Sequence, residues 1–204
     1  MQPAAKRGLL IFVVGVLIIA GALAFTYWRQ QQGGFSLSEQ VSPVAIGGDF
    51  TLTDQNGKLR HAADFRGKLM LVYFGYTYCP DACPTALQDI SQAIDKLGEK
   101  GSEVTPIFIT VDPERDTPAQ MKLYAENFHP SLVALSGSKE EVAAAARAYR
   151  VYYQKGKPSK PGADDYLMDH TSYIYLMGRD GRYISHFAPG VTPADMATAI
   201  AAHL

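Results

Sequence analysis

Two cysteines, Cys79 and Cys83, are the residues of this sequence best suited to chemistry, and the chain contains no others. They are four positions apart, so on a helical turn both sulfurs lie on one face, within reach of a single ion. They also stand where a helix is predicted to begin, and the unpaired amide groups there favour thiolate over thiol. Such a pair is suited either to binding a soft metal ion or to exchanging disulfides.

Two thiolates alone leave most metal ions short of ligands, so a third donor is needed. Of the five histidines, His170 stands out because it comes just before the apolar strand Tyr173–Leu176. Two thiolates and one imidazole suit copper, since thiolates select copper(I) and imidazole helps to hold copper(II). Structural zinc would require a fourth ligand. Taken alone, however, His170 is better explained as a histidine that hydrogen-bonds to a neighbouring carbonyl or to Asp169.

The cysteine pair has three other interpretations. A structural disulfide between Cys79 and Cys83 closes so small a loop that it would constrain the unfolded chain little. Thioredoxin-type reductants usually carry two residues between their cysteines, whereas three stand here, which favours metal binding over disulfide exchange. A peroxide-reducing site would need an arginine placed to activate peroxide, and the sequence shows no such arrangement.

A strand, a turn and a helix must position the cysteines. Lys68–Phe74 is a nearly continuous apolar run, which predicts a strand buried on both faces. From Thr85 to about Leu97 apolar residues recur at helical spacing. The stretch Gly75–Pro84 between them carries both cysteines.

The other predicted elements alternate in type along the chain. They are a hairpin over 50–61 with an Asn-Gly turn, a strand over Val104–Val111, helices that open at Thr117 and Ser138, a second hairpin over Ser172–Phe187, and a last helix from Thr192 to Ala202. This order predicts an α/β domain with a mixed central sheet flanked by helices and an N-terminal hairpin, similar to a thioredoxin fold. In that fold, the loop before the strand that follows the second crossover can reach the cysteine helix. His170 is expected in this loop. Gln154–Asp165 is predicted to be an inserted loop.

An uncharged apolar segment, Gly8–Tyr27, lies near the N-terminus behind Lys6 and Arg7. About 20 residues at ~1.5 Å each make ~30 Å of helix, enough to cross a bilayer core. A cleaved secretory signal is the alternative, with Ala22–Ala24 as its small residues. The run is longer than the ~7 to 15 residues of a signal core, and the aromatic and basic residues at Tyr27–Arg29 suit a membrane interface. A transmembrane anchor is therefore favoured.

The chain is accordingly divided into four parts: a cytoplasmic N-terminus over 1–7, a transmembrane anchor over 8–28, a tether over 29–43 and a domain over 44–204. The positive-inside rule places the domain across the inner membrane, in the periplasm, or in the mitochondrial intermembrane space if the protein is eukaryotic. The formal net charge of −1 shows no basic excess of the kind that binds nucleic acid. A monomer is expected.

Three motifs, in the same order, resemble those of the Sco/SenC copper proteins, which serve cytochrome c oxidase assembly. They are the cysteine motif Gly75–Pro84, the block Phe108–Thr117 and the histidine block Asp169–Ser172. The resemblance covers the chain from about Phe50 to Leu204, together with the N-terminal anchor.

The resemblance implies that one copper ion, as copper(I) or copper(II), is held by Cys79, Cys83 and His170. It implies delivery of that copper to the oxidase subunit with the binuclear copper centre, and an upstream copper donor as a second partner. A carrier of this kind is not an enzyme. The alternatives are a thiol-disulfide oxidoreductase that reduces that subunit's cysteines through Cys79 and Cys83, or a redox or copper sensor.

Two acidic residues are expected to support the ligands. Asp112 is predicted either to tune the site from beside the cysteine loop or to cap the turn at Pro113 and Glu114. Asp169 directly precedes His170 and is predicted to support its imidazole.

Overall fold

A computed structural model describes residues 16–28, 45–160, 163 and 165–204. The chain divides into two compact units, Met1–Pro43 and Val44–Leu204.

In the first unit, residues 16–28 form a helix, α1, with exposed side chains. Within the part of the chain that the structure describes, no helix combines the length and the apolar character that a membrane span requires. Residues 8–15 of the predicted anchor lie outside the described residues, as do the predicted N-terminal segment 1–7 and tether 29–43.

The second unit contains nine strands and four α-helices in the described residues. The strands are β1 (Thr51–Asp54), β2 (Leu59–His61), β3 (Leu69–Gly75), β4 (Val104–Thr110), β5 (Val133–Ser136), β6 (Tyr153–Lys155), β7 (Met168–His170), β8 (Ile174–Met177) and β9 (Tyr183–Phe187); the helices are α2 (Ala82–Lys96), α3 (Pro118–Ala125), α4 (Lys139–Ala148) and α5 (Pro193–Ala201).

Seven strands form one mixed sheet in the order β2-β1-β5-β4-β3-β8-β9. The central strands β3, β4 and β5 run parallel, whereas β8 pairs with β3 in the antiparallel direction. Every residue of β3 is buried, as its continuous apolar run predicts. The mixed sheet, the helices and the cysteine motif between β3 and α2 make up a thioredoxin-like fold, which confirms the predicted fold class.

Helix starts follow the predicted capping residues. The side chains of Thr117, Ser138 and Thr192 each accept a hydrogen bond from a backbone amide in the first turn of α3, α4 and α5. The predicted start of α2 at Thr85 is wrong by three residues, because Pro84 lies inside its first turn, where proline is tolerated. Cys83 therefore belongs to the helix itself.

Strand β5 was missed by the sequence analysis. It contains only four residues, too few for a periodic pattern to be recognised, and it owes its place to pairing with β4 and β1 on either side. This strand widens the sheet between the N-terminal hairpin and the strands that lead to the cysteines.

The predicted loop over 154–165 begins as a strand. β6 pairs antiparallel with β7 in a separate two-stranded sheet, and Tyr153 lies opposite His170. Hydrogen bonds between Tyr152 and Thr171 extend this pairing by one position. The prediction that His170 lies in a loop is therefore wrong, since a strand carries it.

Candidate functional site

The cysteine loop leaves the end of β3 at Gly75 and enters α2 at Ala82. Cys79 is half-buried in this loop, and Cys83 is buried in the first turn of the helix; both are free thiols. The backbone amide of Cys83 donates to Cys79 Sγ over 3.4 Å. The first turn of α2 thus presents an amide to the Cys79 sulfur, which favours its thiolate form.

The imidazole of His170 meets the second cysteine. His170 Nε2 lies 3.5 Å from Cys83 Sγ, and His170 Nδ1 lies 3.0 Å from the carbonyl oxygen of Thr171. A carbonyl oxygen only accepts hydrogen bonds, so Nδ1 carries a proton, and Nε2 is the ring nitrogen that faces the sulfur. Histidines that bind metals are held by the same kind of bond at their other nitrogen.

Strand pairing explains why His170 reaches the cysteines. β8 runs antiparallel to β3, and Ile174 at its start lies opposite Tyr73 near the end of β3. The residues that lead into β8 therefore lie at the end of β3 from which the cysteine loop departs. His170 stands only four residues before Ile174 and ends β7, so it lies at this end of the seven-stranded sheet.

Cys83 links the other two predicted ligands, because it contacts both Cys79 and His170. Across the described ranges, no three His, Cys, Asp or Glu side chains already form a group that could hold a metal ion. The three side chains are thus neighbours, and a shared metal requires them to turn toward a common point.

The two thiols differ in acidity. Hydrogen bonds from the Cys83 side chain and from the backbone amides of Asp81 and Cys83 lower the pKa of Cys79 to about 5, against the opposing effect of burial. The hydrogen bond with Cys79 and burial both raise the pKa of Cys83. At neutral pH, Cys79 is the thiolate and Cys83 keeps its proton.

Two tyrosines line the site. The rings of Tyr73 and Tyr76 meet the His170 ring edge-on, with centroids 6.1 Å and 5.9 Å away. The Tyr73 hydroxyl also donates to Cys83 Sγ over 3.7 Å. Tyr73 was not predicted as a site residue. The signal that was available is a tyrosine in an otherwise apolar strand that leads directly into the cysteine loop.

Asp112 lies close to the cysteine loop but bonds to other partners. Its carboxylate accepts from Arg115 Nε over 2.6 Å and from the Tyr166 hydroxyl over 2.8 Å. The Arg115 guanidinium in turn lies over the rings of Tyr166 and Tyr78, 3.6 Å and 4.6 Å from their centroids. Asp112 therefore reaches the cysteine loop through Arg115 and its aromatic neighbours.

The backbone carbonyl of Asp112 accepts hydrogen bonds from the amides of Arg115 and Asp116 and so closes the turn that follows it. Asp169 is exposed, and its backbone lies opposite Gln154 in the β6–β7 pair. His170 Nδ1 donates its hydrogen bond to the backbone carbonyl of Thr171. Of the two partners that the sequence suggests for this imidazole, a neighbouring carbonyl and Asp169, the structure shows the carbonyl.

Asp116 was not predicted as a site residue; it belongs to the second family-like motif, Phe108–Thr117. It is fully buried, and its carboxylate bonds to Thr77 of the cysteine loop. The signal that was available is a second aspartate shortly after a buried strand, since a buried acid needs partners.

Comparison with known proteins supports the similarity that the motifs indicate. A family model described as SCO1/SenC matches residues 38–204. A mouse relative named "Protein SCO2 homolog, mitochondrial" is 43% identical over 180 residues, which cover 87% of this chain and 68% of the relative.

Solved structures are similar over most of the chain. The copper-bound ScoI of Bradyrhizobium japonicum has 50% sequence identity and a TM-score of 0.72, and the match covers 78% of this chain and 100% of that one. BsSco has 27% identity and a TM-score of 0.61, with 79% and 95% covered; it is described as a member of the Sco family of cytochrome c oxidase assembly proteins with a disulfide switch.

Adding one methyl group at Gly75 should displace Cys83. A Cβ atom there would lie 2.8 Å from Cys83 Sγ and 2.9 Å from Phe108 Cε2, so Gly75→Ala should lower the free energy of unfolding by about 1–3 kcal/mol, as overpacking does. Urea denaturation measures this change. Gly48→Ala is the matched comparison, because the added Cβ would meet Ala148 at 3.3 Å, so a smaller loss of stability is expected. Equal stability of the two variants would contradict the packing described here.

The alkylation rate of Cys79 should report its lowered pKa. With iodoacetamide and the reduced, copper-free protein, the rate should rise through a midpoint near pH 5 and stay constant above it, because the thiolate is lost only as the pH falls through that pKa. Cys83→Ala removes the largest cause of the shift and should move the midpoint upward. A wild-type midpoint near the ordinary thiol pKa of about 8.5 would contradict this account.

Proposed function

The chain belongs to the SCO1/SenC family, and we propose that it is a copper carrier that binds one copper ion through Cys79, Cys83 and His170. In this proposal it delivers the copper to the binuclear copper centre of cytochrome c oxidase during assembly. The supporting relatives are a ScoI that was solved with copper bound and BsSco, which is described as belonging to a family of oxidase assembly proteins.

The observation that carries the proposal is the contact between Cys83 Sγ and His170 Nε2. It joins a soft sulfur donor to an imidazole whose other nitrogen is already bonded to a carbonyl oxygen. Copper(I) favours the thiolates, and imidazole is a good ligand for copper(II). The donor set therefore suits copper in either oxidation state.

A carrier must also release its cargo. Cys79 is half-buried, and the ring of Tyr78 beside it is 50% exposed, so a ligand from a partner can approach the site from the cysteine loop. Three protein ligands leave room for such an incoming donor. Exchange through Cys79 is the route that this arrangement favours, because Cys83 is the buried cysteine of the pair.

The setting of the carrier follows from the N-terminal sequence. We propose that residues 8–28 anchor the protein in the inner membrane and that residues 29–43 tether the domain on the outer side. The compartment is then the periplasm, or the intermembrane space if the protein is eukaryotic; the mouse relative carries the word mitochondrial in its name. An upstream donor loads the site, and the domain acts as a monomer.

A thiol-disulfide oxidoreductase is the second candidate, and the unequal acidity of the cysteines favours it. The Cys79 thiolate would attack a partner disulfide and form a mixed disulfide, with one partner sulfur leaving as a thiolate. Cys83 would then lose its proton and attack Cys79, which releases the partner as a dithiol and leaves this protein oxidised. The disulfide switch of BsSco is consistent with such cycling. A redox or copper sensor that signals through a membrane partner would use the same two cysteines.

Substitution of the histidine should abolish tight copper(II) binding. Wild-type protein should retain one copper per chain and show a thiolate-to-copper charge-transfer band. His170→Ala should lower copper(II) affinity by at least about a hundredfold, because removing a direct ligand costs more than removing a residue that only hydrogen-bonds to a ligand. Absorption spectroscopy with metal analysis measures both quantities. His203→Ala removes an exposed histidine near the C-terminus and serves as the control. Unchanged affinity in His170→Ala would rule out the proposed site.

Two assays with one partner separate the carrier from the reductase. The copper-loaded protein is mixed with the reduced copper-binding domain of the oxidase subunit, and the copper-free reduced protein with the oxidised domain. A carrier transfers copper in the first assay, and His170→Ala does not. A reductase gives the opposite pattern: it transfers no copper in the first assay, and in the second it reduces the partner disulfide at a rate that His170→Ala does not change. That pattern would establish the reductase instead.

A further inference from the structure

A buried carboxylate sits behind the cysteine loop. Asp116 is 0% exposed, and it follows β4 in the turn that precedes α3. Its Oδ1 accepts from Thr77 Oγ1 over 2.6 Å, and its Oδ2 accepts from the Thr77 amide over 3.0 Å and from Thr110 Oγ1 over 2.5 Å. A buried carboxylate is tolerated only where such donors surround it.

The backbone of Asp116 is fixed by other elements. Its carbonyl accepts from Ser136 Oγ at the end of β5 over 2.5 Å, and its amide donates to the Asp112 carbonyl over 3.0 Å. The residue thus joins the ends of β4 and β5 to the cysteine loop. Because parallel neighbours in the sheet hold those ends, Asp116 is a rigid support for whatever it binds.

Thr77 is the part of the cysteine loop that Asp116 holds. It stands two residues before Cys79, and the amide of Cys79 donates to the carbonyl of Tyr76. The amide of Val111 also donates to the carbonyl of Gly75, where the loop begins. Thr77 donates both its backbone amide and its side-chain hydroxyl to one carboxylate, so its position and orientation are both fixed.

The two cysteines are supported in different ways. Cys83 lies within α2 and is packed in the core, so the helix fixes it. Cys79 lies in the loop between Thr77 and the helix, so its place depends on how the loop is held. Loss of the Asp116–Thr77 bonds should therefore affect Cys79 more than Cys83.

We propose that Asp116 is a positioning residue that, through Thr77, holds Cys79 where it can act together with Cys83 and His170. Its carboxylate hydrogen-bonds to threonines and not to the three predicted ligands, so it acts through the loop. This role deepens the proposed copper-carrier function and rests on that function for its copper readout, but a second readout in copper-free protein does not depend on it.

The copper readout compares two buried aspartates in the full-length protein. Asp116→Ala should lower copper(I) affinity about tenfold, as loss of an outer support typically does, whereas Asp116→Asn should lose less, because the Thr77 hydroxyl can turn to accept from the new amide. Asp54→Ala is the matched control: Asp54 is 6% exposed and accepts two backbone amides in the β1–β2 turn. Its copper affinity should stay within about twofold of wild type. Competition with a chromophoric copper(I) chelator measures each affinity.

The second readout is the disulfide equilibrium of copper-free protein with glutathione. The reaction converts the Cys79 and Cys83 thiols and one oxidised glutathione into the protein disulfide and two reduced glutathiones. A loosened loop lowers the effective concentration of Cys79 at Cys83, so the equilibrium constant should fall in Asp116→Ala and stay unchanged in Asp54→Ala. If wild-type protein bound no copper, the proposed carrier function would fail and this equilibrium alone would decide the role of Asp116.

Folded Asp116→Ala protein with wild-type values of both quantities would overturn the proposal, and so would equal losses in Asp54→Ala. If Asp116→Ala does not fold, Thr77→Val supplies the test, since it removes the 2.6 Å bond and leaves the carboxylate in place. Thr77→Val should shift both quantities in the same direction as Asp116→Ala. Wild-type values in Thr77→Val would then overturn the proposal.

Discussion

The contact between the Cys83 sulfur and the His170 imidazole joins two parts of the chain that are 87 residues apart in sequence. One partner is carried by the first turn of α2 and the other by β7. The antiparallel pairing of β8 with β3 brings them to the same end of the sheet. Gly75 is needed at this point because a side chain there would occupy the space of the Cys83 sulfur. Sheet topology and one close backbone approach therefore determine whether the site exists.

Around this contact the two cysteines have different environments. Cys83 is buried and keeps its proton, whereas Cys79 is half-buried and its pKa is lowered to about 5. A carrier benefits from this difference, because one ligand stays fixed while the other can be exchanged with a partner. A thiol reductase would benefit equally, since the more accessible thiolate attacks and the buried thiol resolves the mixed disulfide. The histidine is the feature that separates the two functions, because disulfide exchange does not require it.

Much of the fold could be predicted from local signals. The apolar run of β3 and the capping residues Thr117, Ser138 and Thr192 indicated their elements correctly, because these depend on neighbouring residues. β5 could not be found in this way, since a four-residue strand is defined by distant pairing. The β6–β7 pair was hidden for the same reason, and a loop was predicted in its place.

The site was only partly accessible from sequence. Spacing indicated a shared role for Cys79 and Cys83, but His170 required the resemblance to a family, since nothing local distinguishes a ligand from a bonded core histidine. The supports of the site were beyond prediction. Asp112 and Asp116 both follow β4, and only the folded chain separates the one that binds Arg115 from the one that holds Thr77.

X-ray absorption spectroscopy of the copper-loaded, full-length protein tests the central claim most directly, because it counts the atoms bound to copper. The account predicts two sulfur scatterers and one imidazole nitrogen around a single copper ion, with the imidazole signal absent in His170→Ala. A shell without imidazole in the wild type, or one unchanged by His170→Ala, would show that copper is held elsewhere and would contradict the account.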